Sequence, residues 1–166
     1  MKKKTPYETY MLVILLIVLS LGAIYGGISL IYDSTGATLR LKIDEYYNYP
    51  FKDFMMPGFV LFLTFGILPL TLIYPLLTKP KLPWANVFNI YKKRHWAWTY
   101  PLYIGIFLVI WVDVQIATLG YYGFIQIFYS LYGLTLIIVS LLPKHMRHFA
   151  KAHSHHSSKS EDTEGN

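Results

Sequence analysis

Four uninterrupted apolar stretches, each about twenty residues long, constrain this chain more than any other feature. They run from about Tyr10 to Tyr32, Pro57 to Thr78, Thr99 to Leu119 and Tyr122 to Leu142, and none contains a Lys, Arg or His. An apolar helix of that length covers the roughly 30 Å hydrocarbon core of a bilayer. In lipid every backbone polar group must be paired within the protein, so such stretches fold as helices. The pattern predicts an all-α membrane protein, a bundle of four transmembrane helices. Pro57 suits a first helical turn, where its missing N–H costs nothing. Pro69 and Pro75 fall inside the second stretch and predict a kink there. The short Gly120-Tyr121-Tyr122-Gly123 connection makes the last two spans an antiparallel hairpin that stops at Pro143.

Composition points the same way. Charged residues make up 14% of the 166, against about 25% in soluble domains, and they gather between the apolar stretches. The absence of cysteine excludes a disulfide framework, a thiolate metal site and a cysteine nucleophile. The first stretch follows Lys2, Lys3 and Lys4, as a signal peptide would. It exceeds the 7–15 residues of a signal h-region and no convincing small-x-small cleavage site closes it, which predicts an uncleaved first span.

Orientation follows from the basic residues near the span ends. Three precede the first span, five lie between Lys79 and Trp98, and four follow Leu142. The loop from Asp33 to Met56 has three, offset by Asp33, Asp44, Glu45 and Asp53, and the Gly120–Gly123 turn has none. Both termini and the middle loop are expected in the cytoplasm, with one structured loop, Asp33 to Met56, outside. Tyr7, Tyr10, Trp84, Trp96 and Trp98 would form the inner aromatic belt. Abundant Lys, Ile and Tyr with scarce Arg suggest an AT-rich bacterial genome, so the membrane is expected to be a bacterial cytoplasmic one. Residues 1–143 form the transmembrane domain in this reading, and 144–166 a disordered His/Ser-rich tail.

Asp113 is the one carboxyl inside a span, and such a residue is a functional candidate by default. It lies seven residues before Gly120, or about 10 Å from the outer end. Tyr25, Thr64, Tyr129 and Ser130 bring hydroxyls to a similar depth on the other three helices, and Gln115 and Gln126 lie nearer the surface. These residues suggest an outward-facing polar pocket capped by the Asp33–Met56 loop. Gln115 sits about 200° around the helix from Asp113, at 100° per residue, so the two cannot face one point. The structural alternative for Asp113 is a carboxyl hydrogen-bonded between helices. Gly22, Gly26 and Gly27 give small-x-x-x-small spacing, which lets helices approach closely within the bundle or across a homodimer seam.

The loops carry further expectations. Leu39 to Asp44 alternates like a short strand, and Phe51, Phe54 and Met55 suggest an elbow dipping into lipid. Trp84, Phe88, Tyr91 and His95 recur at helical spacing, which predicts an amphipathic helix on the inner surface among anionic lipids. His145, His148, His153, His155 and His156 lack the carboxylate or cysteine company of a metal site and read as a solvated basic tail, so no metal is assigned. No Ser-His-Asp set, phosphate loop or cofactor signature appears. The net charge of +6 belongs to membrane topology, not to nucleic acid.

Gly26-Gly27, the elbow Pro50-Phe51-x-Asp53-Phe54-x-x-Pro57-Gly58, Trp111 through Gln115 and Gly120 to Gln126 resemble a group of uncharacterised bacterial four-span membrane proteins. The DoxX-like proteins are similar in topology only. The resemblance implies a four-helix membrane fold and brings no substrate. In that group the position of Gln115 is often Glu and an acid at Asp113 is not typical. The chain is expected to be a non-enzymatic protein binding a lipid-like or small apolar ligand, or a partner subunit, through its outer half. The competing expectation is a small proton- or cation-coupled transporter that works as an oligomer through Asp113. An enzyme acting on a lipid-soluble substrate would have to use Asp113 with Tyr25 or Tyr129.

Overall fold

The computed structural model describes residues 5–41, 53–91, 94–121 and 123–150. Four helices are long and apolar enough to cross a membrane. They are α1 (Tyr7–Tyr32), α2 (Met55–Thr78), α3 (Trp96–Leu119) and α4 (Phe124–Leu141). A short fifth helix, α5 (Pro143–His148), follows. The spans start and end within three residues of the sequence expectation.

The helices pack in the ring order α1–α2–α3–α4, with α4 closing onto α1. Each contact runs antiparallel. Gly27 of α1 meets Gly58 and Phe62 of α2, whereas Ile24 meets Gly66. Thr9 near the start of α1 reaches His145, just beyond α4. The end of α1 and the start of α2, like the end of α3 and the start of α4, therefore lie at one end of the bundle, where the two hairpin connections leave and return. The opposite end carries the start of α1, the loop 79–95 and α5. The shared interior is apolar, built from Leu12, Leu16, Leu19, Phe65, Leu76, Leu108 and Leu136. Outward positions are apolar as well, among them Ile14, Val18, Leu63, Phe107, Leu131 and Ile138. Helices that are hydrophobic on every face belong in lipid or in a large core, and this chain is too small to provide such a core.

Two glycine pairs set how close the helices come. A Cβ built on Gly27 would lie 2.8 Å from the Phe62 backbone nitrogen and 2.9 Å from the Gly58 carbonyl oxygen. A Cβ on Gly105 of α3 would lie 3.0 Å from the Gly133 carbonyl oxygen, and one on Gly133 of α4 equally close to that of Gly105. Both hairpins thus pack backbone against backbone. Lipid offers no hydrophobic drive for association, so dispersion contact at small residues must supply it. Of the sequence-identified glycines, Gly27 is the one buried against α2. Gly22 instead faces Tyr129, whose hydroxyl lies 2.8 Å from the Cβ position, and Gly26 faces the tip of Leu61.

The prolines of α2 act through a wide turn. Leu61–Ile67 is π-helical, and the Leu68 N–H bonds back five residues to the Leu63 carbonyl. In an unbroken α-helix the ring of Pro69 would press on the carbonyl of Phe65, four residues earlier, and leave it unpaired. Widening the preceding turn relieves that conflict. Side chains bridge other backbone groups in this helix: Thr71 Oγ1 donates to the Leu68 carbonyl and Thr78 Oγ1 to that of Tyr74.

The loops depart from the sequence expectations at several points. Residues 37–39 form a 3-10 turn and Arg40 is left-handed (φ 56°), so no strand begins at Leu39. Residues 42–44, the remainder of that expected strand, lie outside the described residues, as does Phe51. Phe54 turns inward and is buried, because Gly36 lets its ring pass against the 33–41 loop; Met55 stays exposed. In place of the expected amphipathic helix at 84–95 there is a 3-10 turn, Trp84–Asn86, followed by irregular chain to Tyr91, and residues 92 and 93 lie outside the described residues. Asn89 explains the break. It is fully buried, accepts from Thr99 Oγ1 and donates to the Arg94 carbonyl, pinning the chain where a helix would continue. Residues 144–150, placed in the tail by the sequence, form α5 and a buried Phe149. The rest of the tail, 151–166, lies outside the described residues.

Gly27→Ala is expected to destabilise the bundle by about 1–3 kcal/mol through overpacking, because its neighbours are the Phe62 Cβ and two backbone atoms, none of which can swing aside. Gly26→Ala, which meets only a movable Leu61 methyl, should cost much less. Thermal unfolding of both variants in one detergent checks the ordering, and equal Tm values would contradict it.

Candidate functional site

Below the two hairpin connections the four-helix ring leaves a cavity of about 280 Å³. It is bounded by Leu19, Ala23 and Leu30 of α1, Pro57 and Leu61 of α2, Leu108 and Val112 of α3, and Ile125 of α4. The 33–41 loop supplies Leu39 and Leu41, and Phe54 closes the side next to α2.

That loop is held in shape by Asp33. Its carboxylate accepts from the backbone N–H and hydroxyl of Thr35 and from the same two groups of Thr38, at 2.5 to 3.2 Å. Hydrogen bonds from Thr35 and Thr38 that favour the ionised form hold its acidity at a pKa of about 2. The Phe54 N–H then donates to the Ser34 carbonyl, tying the entry of α2 to the loop.

The polar groups on the cavity wall are uncharged. On α3 the positions 108, 111, 115 and 118 recur every three to four residues and share one face. Trp111, Gln115 and Thr118 therefore look inward together. The Trp111 indole N–H is buried without a hydrogen-bond partner. Across the cavity, Gln126 is buried and its Nε2 donates to the Gly120 carbonyl, bracing the turn. Tyr129 reaches the floor over Gly22, and Tyr25 stands on the α1 rim, mostly exposed.

Of the residues singled out in the sequence, Tyr25, Gln115, Gln126 and Tyr129 line this cavity, together with Gly22 and Gly26. Thr64 and Ser130 are half-buried elsewhere on their helices and are not among the lining residues. Asp113 is exposed on the far face of α3, 200° around from Trp111 at 100° per residue. Sequence reasoning missed Trp111, Thr118, Phe54 and the two loop leucines. The spacing of Trp111, Gln115 and Thr118 was a usable signal. Nothing in the sequence shows that Phe54 folds inward, since that depends on the distant Gly36.

The second polar constellation lies at the opposite end. His145 is fully buried, with Nδ1 3.0 Å from Thr9 Oγ1 and Nε2 without a partner. Trp98 Nε1 donates to the Ser140 carbonyl, Lys79 Nζ to that of His148, and Arg94 to that of Met146. Lys79 also lies 4.5 Å over the Phe149 ring, and Arg94 4.9 Å over Trp98. These contacts clamp α5 under the 79–95 loop. Burial, aided by nearby His148 and Lys79, lowers the His145 pKa to about 4. Among the described residues no three His, Asp or Glu side chains gather as metal ligands would. This end reads as a structural clamp.

Comparison with family models, curated proteins and solved structures finds no match.

The His145 environment sets a pH dependence. Between about pH 6.5 and 4 the unfolded chain takes up a proton at this residue and the folded one does not. Stability is therefore complete above pH 6.5 and falls as the solution is acidified, by up to about 2 kcal/mol at pH 5. Unfolding at pH 7 and pH 5 should show this loss in the native chain and a smaller one in His145→Gln. An equal loss in both would assign it to other groups.

Proposed function

We propose that this is a four-span protein of a bacterial cytoplasmic membrane whose cavity takes a lipid-like or small apolar ligand from the outer leaflet. The observation that carries this reading is the character of the cavity wall. It is mainly aliphatic and aromatic, with a few neutral polar groups on one side, and its ionisable members are the phenols of Tyr25 and Tyr129. A wall of that kind suits apolar chains or rings with one uncharged polar group, as small-molecule sites commonly do. The buried Trp111 N–H and the Gln115 amide favour a ligand bearing a hydrogen-bond acceptor, such as a carbonyl, ether or ester oxygen. The exposed rim residues Tyr25 and Ile125 support entry sideways, between α1 and α4.

The positive-inside distribution supports the orientation. The cavity end carries few basic residues, whereas the clamp end is rich in them. Trp84, Val87, Phe88 and Ile90 are exposed beside Lys79, Lys81 and Arg94, and this mixture suits an anionic inner leaflet. Proton-coupled transport through Asp113 gains no support from the cavity, because that carboxyl lies on the opposite face of α3.

Two measurements test the proposal. Native mass spectrometry of protein extracted in mild detergent should show a retained lipid-sized adduct. Thr118→Phe, which fills the cavity from its wall, should reduce that adduct several-fold without lowering Tm. An adduct unchanged by Thr118→Phe would place the ligand elsewhere. Because the chain has no cysteine, Tyr121→Cys provides a single reporter for the exposed turn. A membrane-impermeant maleimide should label it on intact cells, and labelling only after lysis would invert the orientation.

A further inference from the structure

Asp113 poses a problem that the cavity does not solve. It lies inside a span, about 10 Å below the Gly120 turn at 1.5 Å per residue. Its face of α3 is otherwise Ile106, Ile110 and Ala117, at a spacing of four, three and four residues. All four positions are exposed. Among the described residues nothing hydrogen-bonds or ion-pairs with this carboxyl, and no span contains a cation that could reach it. A carboxyl facing hydrocarbon is costly wherever it is left uncovered. Another chain can supply that cover if it brings a polar group to the same depth in an otherwise apolar stripe.

A second copy meets both requirements. Two copies inserted the same way are related by a two-fold axis along the membrane normal, which sets every residue opposite its equivalent at equal depth. A carboxylic acid both donates and accepts, so it complements itself. We propose that the Ile106–Ile110–Asp113–Ala117 face of α3 is the seam of a homodimer, in which the two Asp113 carboxyls hydrogen-bond to each other between flanking apolar contacts. The small Ala117 lets the helices close in toward the turn, and Ile110 packs on the deeper side of the pair. The cavity lies on the other side of α3, so the dimer leaves its α1–α4 rim open on both copies. The inference stands independently of what the cavity binds.

Disulfide trapping in native membranes tests it. Ile110→Cys and Ala117→Cys, each the only cysteine in the chain, should form a dimer of twice the chain mass under mild oxidation. Leu21→Cys, exposed on α1, should not. Adding Asp113→Leu to either reporter should reduce the trapped dimer at least about tenfold, the effect of roughly 1.4 kcal/mol, while Asp113→Asn should largely retain it. Leucine on a lipid-facing position leaves the fold intact, and an unchanged Tm for Asp113→Leu verifies that. The proposal fails if neither reporter traps a dimer, if Leu21→Cys traps one as well, or if Asp113→Leu leaves trapping unchanged. A trapped species of any mass other than twice the chain's own would assign the face to a different partner and overturn it too.

Discussion

The bundle depends on backbone meeting backbone at two points, Gly27 against Gly58 and Gly105 against Gly133. In water, burial of leucines would hold four helices together at about 25 cal/mol per Å². In a bilayer the same leucines are as well solvated by acyl chains as by one another, and that term largely vanishes. What remains is short-range dispersion and interhelical hydrogen bonding, both of which fall away steeply with distance. The glycines bring the axes close enough for these to act. The α1–α4 contact uses the second device, with the Tyr132 hydroxyl donating to the Leu15 carbonyl at 2.7 Å.

Close pairing within each hairpin has a consequence between them. With α1 held to α2 and α3 to α4, the remaining contacts are looser, and at the hairpin end the side chains of the described residues leave a space between the helices. The cavity is that space. Its wall combines the small residues Gly22, Ala23 and Gly26 on α1 with the inward stripe of α3, and the Asp33-braced loop roofs it with leucines. The opposite end is closed by the reverse strategy. There large groups, Trp98, Phe149 and His145, fill the ring and are fully or almost fully buried. Among the described residues, one end of the bundle is filled by large side chains and the other leaves the cavity beneath the 33–41 loop.

The π turn in α2 connects these themes. It accommodates Pro69, and it carries both Leu61 on the cavity wall and Phe65, whose ring packs 6.3 Å from that of Trp111. Wide turns of this kind recur at functional sites because they rotate the following helix relative to the preceding one. Here the segment lies beside the floor of the cavity.

The sequence by itself determined the number of spans, their limits and their short final turn, because each follows from the length of an apolar run against the thickness of a bilayer. It also named four of the polar or aromatic residues that line the cavity: Tyr25, Gln115, Gln126 and Tyr129. Only the tertiary structure decided which way each of them turns. Depth along a helix can be counted from its ends, so Asp113, Thr64 and Ser130 were placed near the level of the cavity. Azimuth depends on which face meets a neighbour, and when every face is apolar no hydrophobic stripe betrays it. That is why the carboxyl most conspicuous in the sequence lies outside the cavity while Trp111 and Thr118 lie within. The inward fold of Phe54, the break at Asn89 and the helix at Pro143–His148 have the same origin. Each is fixed by a partner distant in sequence, Gly36, Thr99 and Thr9 respectively, and no local pattern records a partner that the fold alone brings near.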